Sequence, residues 1–191
     1  MTKWLGCAGL TLTLIACQAA LRPSGSNPIP NSAPIATEGP AADCGAQEPQ
    51  GVACLYAHAL ALGLEARAHP TLSGELLKTM LENLTKAEVA DADYDQAGGA
   101  RVRALVLIRA PGWPLGPGDA EAGLVAARRA AMLRPGYPPN LLALAEALQK
   151  NGDSNGALEN YQRARDLAQR LPATADRDAW LREAAEALLR K

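Results

Sequence analysis

The sequence predicts an all-α chain, an array of helical hairpins finished by a terminal capping helix, and three observations predict it. From residue 52 onward apolar residues recur at helical spacing, in runs separated by Gly, Pro and Asp. Composition agrees: 48% of the chain is apolar, yet there is no Phe and there are only three Trp and four Tyr. Ala and Leu therefore carry the core, which suits closely packed helices. The runs also repeat. Gly118-Asp119 and Gly152-Asp153, Leu124 and Leu158, and Ala130 and Ala164 each lie 34 residues apart.

Ahead of the array stand two segments of another kind. Lys3 gives a positive start and residues 4–16 an apolar run, shorter than the ~20 residues a membrane span needs. The run ends in Leu14-Ile15-Ala16-Cys17, which looks like a bacterial lipobox, so residues 1–16 are expected to be a lipoprotein signal peptide. Cys17 is then acylated, as the attachment chemistry requires a thiol, and a multi-chain anchor holds firmly. Gln18 rather than Asp follows, which by the usual sorting rule favours an outer-membrane lipid anchor on the periplasmic face. Residues 17–50 carry Pro at 23, 28, 30, 34, 40 and 49 among Ser, Gly and Asn, and are expected to be a flexible tether. Cys44 and Cys54 remain, and in an oxidising compartment are expected to form a disulfide closing a short loop, a stabilisation of about 2.5–3 kcal/mol.

The folded part, 51–191, reads as seven helices. The first runs from Val52 to His69 with Leu55, Ala59, Leu62 and Ala66 on one face, and Pro70 ends it. The second follows Ser73 as N-cap and carries Leu77, Met80, Leu81 and Leu84. The third follows Gly98-Gly99, although its Leu105-Ile108 run also fits a buried strand. Asp119 opens the fourth and Pro135 stops it. The fifth starts after Pro138-Pro139 and ends at Lys150, and Asp153 or Ser154 caps the sixth, which ends near Leu171. The last begins near Asp176, where an acidic first turn and the basic Arg190-Lys191 end both suit the helix dipole.

A helix-turn-helix period of 34 residues is that of the tetratricopeptide (TPR) repeat. In the last unit Leu141, Leu144, Ala145, Leu148, Gly152, Ala157, Tyr161 and Ala164 fall at the apolar, small or turn positions. Further back, Ala87 matches Ala130 and Tyr94 matches Tyr137, each 43 residues apart, so the earlier repeat is stretched by about nine residues. The extra length is the segment Ala110 to Pro117, APGWPLGP.

That insertion supplies the main binding candidate. Trp113 is held between Pro111-Gly112 and Pro114. Either its indole plugs the gap between two hairpins, or the loop lines a concave face or pocket mouth. Arg101 and Arg103 project from the adjoining helix toward the same space or toward solvent, and Gly98-Gly99 either turn the chain or allow close backbone approach. Tyr137 and Asn140, at the next turn, complete the candidate set. The chemistry-bearing patterns are weaker. Asp91, Asp93 and Asp95 have calcium-loop spacing, but Gln96 and Val102 stand where such a loop needs Gly and Glu. His58 and His69 lack ligand company at helical spacing, and no Ser lies in a nucleophile elbow. A net charge of −1 with mixed signs argues against a nucleic-acid surface. No enzyme, cofactor or metal is expected.

Gly98-Gly99, Arg101, Arg109-Ala110-Pro111-Gly112-Trp113-Pro114, Gly118-Asp119, Tyr137-Pro138, Asn140 and Leu144-Ala145-Glu146 together resemble the T-component (TatT) family associated with TRAP transporters. The resemblance covers roughly residues 52 to 190 and is specific between 98 and 160. It implies a periplasmic TPR lipoprotein that docks a solute-binding protein or holds a small apolar ligand. The chain is shorter than that scaffold at its N-terminal side. A scaffold lipoprotein for envelope assembly or cell-wall enzyme recruitment is the alternative expectation.

Overall fold

Seven α-helices and one 3-10 turn follow one another along residues 51–190, the residues described by the computed structural model. The segments expected to be a signal peptide and a tether, with Cys17 and Cys44, lie outside the described residues. The helices are α1 (Val52–Ala68), α2 (Ser73–Ala90), α3 (Tyr94–Arg109), α4 (Ala120–Leu133), α5 (Pro138–Lys150), α6 (Ser154–Gln169) and α7 (Ala175–Leu189). The 3-10 turn is Pro70–Leu72. Described residues contain no strand and no helix long and apolar enough to cross a membrane.

Local chemistry sets most boundaries. Asp119 accepts a hydrogen bond from the Ala122 amide, Asp153 from Gly156 and Thr174 from Arg177, each satisfying one orphan donor of a first turn. Pro138 opens α5, where a missing N–H costs nothing. Gly152, at φ +86°, turns the chain between α5 and α6. Three expectations are corrected. Ser73 lies inside α2 rather than capping it, because its hydroxyl donates to the carbonyl of Pro70 in the preceding 3-10 turn (2.8 Å). Pro138-Pro139 form the first turn of α5 rather than preceding it. The Leu105-Ile108 run is helical, with Ile108 buried and Leu105 packed against the same cluster.

The broadest helix contacts are α1 with α2, α3 with α4 and α5 with α6. Each hairpin then meets the next through α2–α3 and α4–α5, and α7 packs on α6. The backbones of odd-numbered helices also come close in order, α1 to α3, α3 to α5 and α5 to α7, whereas those of α2, α4 and α6 stay apart, with α2 and α4 meeting through side chains. The core is correspondingly strung out. Leu55, Ala59, Met80 and Leu84 fill the first hairpin, with Val102 of α3 joining them. Ala104, Ile108, Ala126, Ala127 and Ala147 fill the second. Leu141, Leu142, Ala145, Leu148, Ala157, Tyr161 and Ala164 fill the third, which Ala184 of α7 closes. The second hairpin is closely packed: a Cβ at Gly123 would stand 2.5 Å from the Ile108 side chain, so only glycine lets α4 lie this close to α3.

Candidate functional site

The candidates divide between the two ends of α3. At its start the backbone does something no propensity foretells: Asp95, Gln96 and Ala97 have φ of 49°, 56° and 63°, a left-handed turn of three non-glycine residues. Such residues cost roughly 1–2 kcal/mol each. The regular helix begins at Gly98.

Two candidates, Arg101 and Asn140, hold that turn together with Tyr56, which the sequence did not single out. Arg101 donates from Nη1 to the carbonyls of Asp95 and Gln96 (3.2 Å each) and to Asn140 Oδ1 (3.2 Å), and from Nη2 to Asp95 Oδ2 (2.8 Å). Asn140, fully buried, donates from Nδ2 to the carbonyls of Gln96 (3.0 Å), Ala130 (3.1 Å) and Arg134 (3.2 Å). Tyr56 of α1 donates to Asp95 Oδ2 (2.6 Å). Its burial pushes the hydroxyl well above the ordinary range; Arg101 pulls the other way and Asp95 adds to the rise. Gly98 makes room, since a Cβ there would sit 2.6 Å from both Asp95 Oδ2 and Tyr56 Oη. The Tyr137 ring lies 5.2 Å from the Arg101 guanidinium carbon and meets Trp180 edge-on at 5.5 Å. With about 1 kcal/mol net per bond, and more for the charged ones, this network offsets the strain of the turn. Asn140, fully buried, and Arg101, largely so, are thus both engaged in clamping the turn. Asp91, Asp93 and Asp95 are spent likewise: Asp91 accepts from the Asp93 amide (2.9 Å), Asp93 pairs with Arg134 (3.2 Å), and Asp95 serves Arg101 and Tyr56. No described His, Cys, Asp or Glu residues cluster so as to hold a metal.

Arg103 points elsewhere. Its guanidinium forks onto Glu88 of α2 (2.7 and 3.2 Å), while Arg129 of α4 approaches the same carboxylate at 3.7 Å. Glu88 is 9% exposed and receives both arginines, so this triad links the first two hairpins. Gly99 lets it form, because a Cβ there would lie 2.7 Å from Glu88 Cγ. Both glycines thus serve close approach.

At the other end of α3 the loop 110–119 behaves differently. Its backbone is closed on itself: the amides of Leu115 and Gly116 donate to the carbonyl of Gly112, Gly118 to Pro111 and Asp119 to Leu107, at 2.8–3.2 Å. The Trp113–Pro114 peptide is cis. Yet Trp113 is 90% and Leu115 78% exposed. The indole is thus too exposed to plug a gap between hairpins; it stands on the α3–α4 connection. The carbonyl of Leu115 comes against Gly74 at the start of α2, near Leu72, which is 56% exposed.

Under the loop is an open cleft of about 440 Å³, whose walls include Leu107, Arg109, Pro111, Gly112, Asp119 and Lys150. Arg109 forks onto Glu146 of α5 (2.8 and 2.6 Å). Burial works against its charge, but the bonds and charge of Glu146 outweigh it and hold Arg109 above its ordinary value. Farther along, Glu183 of α7 is raised, by burial first, against the pull of Arg109 and with the push of Glu146 and Glu186. Burial, with Glu146 and Glu183 adding, pushes Tyr161 up to about 12. Leu115 and Lys150 are not among the residues the sequence marks as candidates. The apolar Leu between two prolines was a usable signal for the first; nothing local marked the second.

Cys54 is buried and disulfide-bonded, while Cys44, its expected partner, lies outside the described residues. Compared with known protein-family models and with curated proteins, the chain matches none.

Proposed function

We propose that the chain is an outer-membrane-anchored periplasmic lipoprotein whose TPR-like hairpin array serves as a protein-binding module. One observation carries the reading. A large aromatic side chain is held 90% in solvent by a loop whose main chain is already hydrogen-bonded to itself. Exposed aromatic anchors on a preorganised backbone are what binding hot spots are made of, because little ordering entropy is left to lose on association. Nearest-neighbour packing of the hairpins, with odd helices sharing one face, supports the solenoid assignment. The lipobox at Cys17 supports the anchor, and the resemblance to the T-component family favours a solute-binding protein as partner, making the chain an accessory of TRAP-type uptake. A protein rather than a small apolar ligand is favoured, since the hollow beside the loop is open and carries charged residues.

The test is capture of partners from detergent-solubilised envelopes by the full lipidated chain. A protein retained by the wild type and lost, by at least about tenfold, from Trp113→Ala is the expected result. Retention that Trp113→Ala and Leu115→Ala leave unchanged would reject the loop as the docking element.

A further inference from the structure

A second groove, of about 290 Å³, lies between the first turn of α1 and the last turns of α2. Leu55, Val89 and Ala90 give it apolar walls, and Thr85 and Lys86 a polar rim. Val89 is 85% exposed, so nothing among the described residues covers it. Lys86 is the only charged side chain among the described residues lining the groove. The groove adjoins the point where residues 1–50 join the fold, since the Leu55 amide donates to the carbonyl of Gly51 (3.0 Å). One position before Leu55, Cys54 is disulfide-bonded, and the other three cysteines, Cys7, Cys17 and Cys44, all precede α1. With Cys7 in the expected signal peptide and Cys17 in the lipobox, Cys44 is the thiol left for it. That bond confines what lies between. Residue 51 is fixed on the first turn of α1, and a disulfide brings the Cα of Cys44 within about 7 Å of that of Cys54. Only residues 45–50 separate the two fixed ends. At ~3.5 Å per residue, none of them lies more than roughly 15 Å from that turn.

We propose that residues 45–50 of this chain seat in the groove, with Ala46 and Pro49 against Leu55 and Val89 and Glu48 facing Lys86. The segment Gly45-Ala46-Gln47-Glu48-Pro49-Gln50 carries a single charge, and it is the one that complements Lys86. The fixed φ of Pro49 leaves less chain entropy to lose on seating. Held at both ends, the segment has an effective concentration in the millimolar range or above, which any separate chain must outcompete for the same groove. The Glu48–Lys86 contact is open to solvent, so it sets register and adds little to the hold. Tension on the lipid anchor then reaches α1 through the disulfide and not through the first peptide of the helix.

The experiment places the photo-reactive residue p-benzoylphenylalanine at Val89 of the full lipidated chain and maps its cross-links by digestion and mass spectrometry. A cross-link within one chain, from position 89 to residues 45–50, is the expected product. Its yield should exceed by about fivefold or more that from the same residue placed at Val125 of α4, which is 66% exposed. Cys44→Ser unties one end of the segment and should lower the yield about tenfold. Glu48→Lys should lower it about threefold, and Lys86→Glu in the same chain should restore it. Circular dichroism checks that each variant is folded, and the charge pair keeps the test decisive if Cys44→Ser is not. Cross-links from position 89 to a second copy, to another protein or only to other parts of the same chain overturn the proposal, as does their absence. A yield that the untied and charge-reversed variants leave unchanged overturns it as well. None of these readouts involves Trp113, so the docking loop stands or falls separately.

Discussion

The two ends of α3 solve opposite problems. At residues 95–97 the backbone is strained, and the side chains of Arg101, Asn140 and Tyr56 converge to hold it. At residues 110–119 the backbone is satisfied, and the apolar side chains are turned outward with nothing in the described residues to cover them. Strain compensated from within is a property of the fold. Apolar exposure without compensation points outside the molecule, and the contrast separates clamp from contact among residues that look alike in sequence.

The comparison can be broken most forcefully at Asn140. Asn140→Ala leaves the carbonyls of Ala130, Arg134 and Gln96 short of a donor and takes a partner from Arg101. It should cost about 3 kcal/mol, read as a lowered denaturant midpoint. Gly98→Ala forces a methyl group against Asp95 and Tyr56 and should cost about 2 kcal/mol. Gln96→Gly has the opposite sign. The Gln96 side chain is exposed and the residue sits at φ 56°, so glycine relieves the strain and should raise stability by about 0.5–1 kcal/mol. A loss there would show that the turn is not strained.

The smaller effects sharpen the contrast. Because Glu183 is raised in the folded chain, the fold binds its proton more tightly than the unfolded chain does. The associated stability is complete below the ordinary carboxylate range and is lost as pH rises through the raised value. Glu183→Gln should flatten that fall and raise the neutral-pH melting temperature, by within about 0.5 kcal/mol of stability. Trp113→Ala should move stability least, also by within about 0.5 kcal/mol, while removing partner capture. An unfolding midpoint that dropped as it does for Asn140→Ala would make Trp113 a packing residue after all.

Much of this architecture was legible along the chain. Pro70, Asp119, Asp153 and Gly152 act on their immediate neighbours, so their effect on helix ends could be read without knowing what lies across the fold. The repeat positions Leu141, Ala145, Leu148, Ala157, Tyr161 and Ala164 were legible too, and all are buried in one cluster, because burial in a helix follows its period. The candidate site was legible only as a set of residues. Tyr137, Asn140, Arg101 and Arg103 read equally well as surface groups or as clamps, since the partners of Arg103 and Asn140 include groups 15 to 44 residues away. The left-handed turn was invisible: Asp-Gln-Ala holds no glycine, and the two glycines that betray it come just after.

The sequence by itself determined an all-α chain, its helix boundaries within a few residues, and a long connection with a proline-held Trp. These depend on periodicity, capping and backbone restriction, which act over one or two turns. Only the tertiary structure decided that Arg101 and Asn140 face inward and Trp113 outward. That choice turns on which carbonyls and carboxylates distant segments bring near, and a one-dimensional pattern does not carry that information.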